Sequence, residues 1–155
     1  MNKVRVWRIT HKKFAENAFS GEGARIYGGR FNSAGHPAVY TSGSLSLALL
    51  ESLVQTNDKS WFSSCVFFSA DIPDSFIKEA SSDRLPSGWD AIPCEPVSQR
   101  FGDQWLRDQE TAILKVPSVV LPLEWNYVLN PQHSDFSKIE FSAEDDLPMD
   151  KRLMI

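Results

Sequence analysis

Apolar and polar positions alternate at the start of the chain. Val4-Arg5-Val6-Trp7-Arg8-Ile9 has the period of two that marks a half-buried strand, with Val4, Val6 and Arg8 on one face. Residues 11–19 suit a short helix. Gly21-Glu22-Gly23 and Gly28-Gly29 then bracket a loop or irregular hairpin ending in Arg30-Phe31-Asn32. Ala38-Val39-Tyr40-Thr41 reads as a short strand. Ser42-Gly43-Ser44 supplies cap residues, and Leu45 to Gln55 is the clearest helix in the chain. Cys65 to Asp71 predicts a strand, central because Cys65-Val66-Phe67-Phe68 is apolar throughout. Residues 72–100, rich in Pro, Ser and Asp, predict a long irregular stretch with one short helix near Asp74–Ala80. A second helix is expected from Asp103 to about Leu114. Strands follow at Val119-Val120-Leu121 and Ile139-Glu140-Phe141, separated by the segment Glu124 to His133. Strands at both ends with helices between them predict one α+β domain over residues 1–155, with a mixed or antiparallel sheet.

Composition narrows the function classes. A hydrophobic content of 42% is that of a core former and not of a disordered tail. With 16 basic against 20 acidic residues the chain has no basic footprint, which disfavours a nucleic-acid binder or a ribonuclease. The opening residues lack the continuous apolar run of a signal peptide. No later run approaches the roughly 18 apolar residues of a membrane span. Cys65 lies in a strand and Cys94 in a Pro-flanked loop, so two reduced thiols and a cytoplasmic setting are expected. His11, His36 and His133 are isolated, which argues against a metal site, and Ser64 and Ser118 sit in no nucleophile-elbow pattern.

Three residues stand out for chemistry. Glu51 shares its helix face with Leu47, Ala48 and Val54, where a carboxylate loses solvation unless a cation or a donor meets it. By itself it reads equally well as part of a solvated Ser44–Glu51–Gln55 edge. Arg30 follows Gly28-Gly29, a pair that lets backbone approach a ligand closely, and its guanidinium fits a phosphate bidentately. An exposed arginine on a hairpin turn is the plainer reading of that segment. Tyr40 ends a strand just before the Glu51 helix, which can bring phenol and carboxylate to one cleft, and Tyr27 is a second candidate aromatic. A core tyrosine is the commoner fate of either. Gly21-Glu22-Gly23 is no dinucleotide fingerprint, because the third glycine position holds Ile26.

Several segments in order resemble the RES-domain family, toxins of bacterial toxin–antitoxin pairs. They are Gly28-Gly29-Arg30-Phe31-Asn32 with Gly35, Val39-Tyr40-Thr41-Ser42, Ser46-Leu47-Ala48-Leu49-Leu50-Glu51, Gly102-Asp103-Gln104-Trp105-Leu106, Val116-Pro117-Ser118 and Asn126 through His133, closing on Asp150-Lys151-Arg152-Leu153. Phe31 stands where the family more often has Trp, and residues 72–100 match least. The resemblance implies a fold similar to ADP-ribosyltransferases and a toxin that cleaves the nicotinamide–ribose bond of NAD, as a glycohydrolase or phosphorylase. It leaves open a protein ADP-ribosyltransferase with NAD as donor, or a non-catalytic antitoxin-binding module. NAD is then substrate and no cofactor is needed. The implied partner is an Xre-type helix-turn-helix antitoxin that makes the DNA contact, with room for a homodimer inside the complex. The family's Arg, Glu and Ser fall on Arg30, Glu51 and Ser118. On this reading Glu51 opposes charge at the ribose and Arg30 holds the pyrophosphate or adjoining ribose, with Arg8 as a second anion clamp. Tyr40 packs on the nicotinamide or its ribose, Tyr27 and Gly29 line the substrate, and Ser118 and Asn126 bond the carboxamide or order the loop around it.

Overall fold

The alternating N-terminal segment forms β1 (Lys3–His11), which pairs along its whole length with β3 (Cys65–Pro73), antiparallel, Lys3 opposite Pro73 and His11 opposite Cys65. The other edge of β1 meets β2 (Val39–Ser42), and β2 in turn pairs with β6 (Trp125–Leu129). Beyond β6 lie β5 (Ile113–Pro117) and β4 (Ile77–Glu79), while β7 (Glu140–Phe141) and β8 (Asp145–Asp146) flank the far edge of β3. This computed structural model describes residues 2–154. Every pairing is antiparallel except β4 with β5, so the sheet is mixed and the domain is α+β, as the pattern predicts.

Helices cover the sheet where apolar residues demand it. Helix α2 (Leu45–Gln55) begins at Ser44, whose side chain accepts from the Leu47 N–H, and its Ala48 packs with Ile9, Phe62 and Cys65. Helix α3 (Pro96–Asp108) puts Trp105 and Leu106 against Leu114, Val116 and Val128, a cluster that also holds Phe31 and Trp89. A second cluster joins Val6, Val39, Ile72, Ile113 and Leu129 from five strands.

Several local expectations are corrected. Glu22–Tyr27 is a short helix, α1, and not a loop, capped by Gly28 at φ 74°. The segment near Asp74–Ala80 is a 3-10 turn followed by β4, and residues 12–17 are likewise 3-10. Helix α3 starts at Pro96 and stops at Gln109, which adopts φ 56°, so Ile113 and Leu114 are strand and not helix. Its first half hides from a search for apolar periodicity because the residues it buries there, Ser98 and Gly102, are small or polar. Val119-Val120-Leu121 is no strand. It belongs to the β5–β6 connection, where the Ser118 N–H donates to the Glu124 carbonyl at 2.9 Å and the Glu124 N–H to the Leu121 carbonyl at 2.9 Å. The segment Glu124 to His133 contains β6 instead of separating two strands.

One close approach sets the site's floor. A Cβ at Gly102 would overlap the Phe31 backbone carbonyl, so only glycine lets α3 pack against the Arg30 loop. Asp103, next to it, accepts from the Ser33 N–H at 2.9 Å and from the Ser33 hydroxyl, tying loop and helix from the other side. Gly102→Ala is expected to cost about 3 kcal/mol through overpacking and to lower the melting temperature by roughly 6–12 °C, as read by thermal circular dichroism.

Candidate functional site

The strand and helix order brings chemically distinct side chains to one cavity of about 850 Å³, within the range of small-molecule sites. Its wall includes Arg8 from β1, Gly29 and Arg30 from the loop after α1, Tyr40 from β2, Glu51 from α2 and Asn126 from β6. The cleft thus unites Arg8, Arg30, Tyr40, Glu51, Gly29 and Asn126. It does not include Tyr27, which is 85% exposed on α1 and lines no part of the cavity. An alternating strand cannot reveal this difference, because Tyr27 sits on a helix that the sequence pattern misses.

Glu51 is held from one side only. Its Oε1 accepts from the Ser118 hydroxyl at 2.6 Å and from Asn126 Nδ2 at 2.7 Å. Oε2 makes no hydrogen bond among the described residues. Ser118 is fully buried, so it supports Glu51 from behind and does not line the cavity; its own oxygen accepts from the Leu121 N–H at 3.1 Å. Asn126 lines the cavity and passes the contact on, its Oδ1 accepting from the Ser42 hydroxyl at 2.7 Å. A carboxylate fixed through one oxygen presents the other to whatever occupies the cleft.

The two arginines are anchored by carbonyls and not by acids. Arg8 donates from Nε to the Ala18 carbonyl at 2.6 Å and from Nη1 to the Tyr40 carbonyl at 3.0 Å. Arg30 uses Nη1 for the carbonyls of Trp89 at 2.9 Å and Ala91 at 3.0 Å. Each spends two of the five N–H donors of a guanidinium and keeps three. Neither forms a salt bridge among the described residues. Burial pushes the Arg8 guanidinium down to about 10, which leaves it charged at neutral pH without a counter-ion.

Tyr40 lines the cavity while its hydroxyl is committed elsewhere. The hydroxyl donates to Asn32 Oδ1 at 2.6 Å and accepts from the Phe31 N–H at 3.0 Å. Burial raises the phenol well above the usual tyrosine range, so it stays protonated and its role is to hold the Arg30 loop. Gly29 follows from this contact: a Cβ there would come within 2.7 Å of the Tyr40 hydroxyl oxygen. Asn32, Asp103 and Ser42 belong to the site's frame; they lie in the matching motifs, but the sequence assigns them no role because their partners are set by tertiary register. No group of three or more His, Cys, Asp or Glu that could hold a metal occurs among the described residues.

A small α+β domain in which one cleft is lined by two guanidiniums without acidic partners and by a carboxylate held through one oxygen defines a class suited to an anionic small molecule. Comparison with known proteins places it further. The RES domain family model matches residues 5–150, and the chain belongs to that family. It is 39% identical over 150 residues to "Toxin Res" of Photorhabdus laumondii, covering 96% of both chains. It is also 39% identical over 139 residues to the "Prs ADP-ribosylating toxin" of a Sphingobium species, covering 86% of each. Among solved structures, a chain of the M. tuberculosis MbcT–MbcA toxin–antitoxin complex superposes with a TM-score of 0.66 at 18% identity, covering 94% of this chain and 85% of that one, which establishes the shared fold.

The free donors predict oxyanion binding that needs no catalysis. Inorganic pyrophosphate at about ten times its dissociation constant should stabilise the protein by roughly 1.4 kcal/mol, a rise of about 3–6 °C in melting temperature. In Arg8→Gln and Arg30→Gln the rise should shrink or vanish in differential scanning fluorimetry; an undiminished rise in both would place the anion elsewhere.

Proposed function

We propose that the protein is the toxin of a toxin–antitoxin pair and that it breaks the nicotinamide–ribose bond of NAD in this cleft. The observation that carries the reading is the one-sidedly held Glu51 carboxylate in the same cavity as two guanidiniums lacking acidic partners. NAD has an anionic pyrophosphate centre and a glycosidic bond whose cleavage releases neutral nicotinamide. The bonding electron pair leaves with the nicotinamide nitrogen, and positive charge develops on the ribose. Glu51 Oε2 opposes that charge and bonds a ribose hydroxyl, a preorganised electrostatic role. Arg30 and Arg8 hold the pyrophosphate, Gly29 lets backbone approach it, and the Tyr40 ring packs on the nicotinamide ribose. Ser118 and Asn126 act through Glu51, whose orientation they fix.

Water or phosphate as acceptor yields ADP-ribose or its phosphate. Transfer to a protein is the second reading, favoured by the relative named for ADP-ribosylation. Mass spectrometry of the products separates the two. The partner is an antitoxin, in keeping with the toxin–antitoxin complex in which the structural neighbour was solved. We assign it to the Xre helix-turn-helix class, allow two toxin copies in the assembly, and place the pair in the cytoplasm. No helix among the described residues is long and apolar enough to cross a membrane.

Glu51→Gln keeps the shape and an oxygen able to accept from Ser118 and Asn126, so folding should survive while kcat for NAD loss falls about 100-fold or more. Wild-type turnover in that variant would remove Glu51 from the chemistry. Arg30→Ala should act on binding, with KM rising roughly 30-fold for about 2 kcal/mol of charge-assisted contact, and an unchanged KM would refute the clamp.

A further inference from the structure

We infer that Ser42 is a positioning residue that makes Glu51 competent by holding the Asn126 amide in place against it. This rests on the reading of Glu51 as the group that acts on NAD. Ser42 and Asn126 are direct cross-strand partners in the β2–β6 ladder, so their side chains emerge side by side on one face of the sheet. The Ser42 hydroxyl donates to Asn126 Oδ1 at 2.7 Å, and Asn126 Nδ2 donates to Glu51 Oε1 at 2.7 Å.

An asparagine amide has nearly the same shape in its two flipped states, but only one is compatible with a carboxylate neighbour. Rotated by half a turn, Asn126 would set its carbonyl oxygen against Glu51 Oε1, acceptor against acceptor. The acceptor-only carboxylate therefore sets which end of the amide faces it, and the Ser42 hydroxyl, bonded to Oδ1, pins the amide in that state. Ser118 is held from behind in a similar way on the other side: its oxygen accepts from the Leu121 N–H while its proton goes to Oε1. Two donors therefore converge on Oε1, each held in place by a group behind it, and Oε2 is left for the substrate. Ser42 is only 4% exposed, so its hydroxyl is held in packed surroundings at the cavity wall. Its side chain has no other hydrogen-bonding partner among the described residues, so the contact to Asn126 is its polar function.

The test is a double-mutant cycle on the full chain, with nicotinamide release giving kcat and KM. The side-chain Nδ2–H resonances of Asn126 are recorded in the substrate-free protein. Ser42→Ala should lower kcat roughly tenfold with KM within twofold, and shift the Asn126 amide resonances. Ser42→Thr, which keeps the hydroxyl on a β-branched strand residue, should return kcat to within about threefold of wild type. In an Asn126→Ala background Ser42→Ala should add no further loss. An equal fractional loss in both backgrounds, or unshifted Asn126 resonances in Ser42→Ala, overturns the inference. If the resonances shift but the wild-type protein releases no nicotinamide, the positioning stands and the choice of NAD is what fails.

Discussion

A fully buried amide must find partners for two N–H groups and a carbonyl, and the cleft is organised around one that does. Asn32 donates to the carbonyls of Ala24 at 2.8 Å and His36 at 2.9 Å, and its oxygen takes the Tyr40 hydroxyl proton at 2.6 Å. Those contacts join the end of α1, the glycine-rich loop and β2 into one unit. With Tyr40 locked, Gly29 has no room for a side chain, the Phe31 N–H is satisfied, and Arg30 leaves the loop toward the carbonyls of Trp89 and Ala91. Gly102 and Asp103 press the same loop from α3. Loss of the Asn32 amide would leave several buried groups unpaired together, each costing on the order of 1–3 kcal/mol.

The site holds its charges in an arrangement that stability alone would not select. Arg8 is desolvated without an acid, while the ion pairs found elsewhere among the described residues sit mostly on exposed side chains, where they contribute little. Carbonyl dipoles orient both guanidiniums without neutralising them. Their positive field therefore remains available to an incoming anion, and the cost of keeping it buried is carried by the sheet and its clusters. Glu51 follows the same logic with opposite sign, since neutral donors fix it and no cation quenches it.

The sequence alone revealed whatever depended on local spacing. The β1 alternation, the Ser44 cap and the eleven residues of α2 were legible because each follows from a period or a cap within a few positions. By local reading only Glu51 is unusual, Arg30 and Tyr40 keep plainer readings, and the order of motifs groups the three. What stayed hidden depends on distant partners. Ser98 and Gly102 give α3 no apolar stripe, and the cue that ends it is Gln109 in a left-handed conformation, not a glycine. Val119 and Val120 have strand composition but are bent into the cavity wall ahead of Pro122. Tyr27 drew attention as an aromatic, yet a short helix turns it outward. Ser42 and Asn32 lie in the matching motifs, but what they do is settled only by the register of β2 against β6 and the fold of the glycine loop.

The carbonyls that receive Arg30 belong to Trp89 and Ala91, in the stretch between β4 and α3. Arg8 likewise binds the carbonyls of Ala18 and Tyr40. Main-chain oxygens are present whatever side chain a codon specifies. The cleft's cations are thereby insulated from drift in the segments that seat them, and substitutions there can reshape the rim, including the exposed Ile92, without moving the guanidiniums.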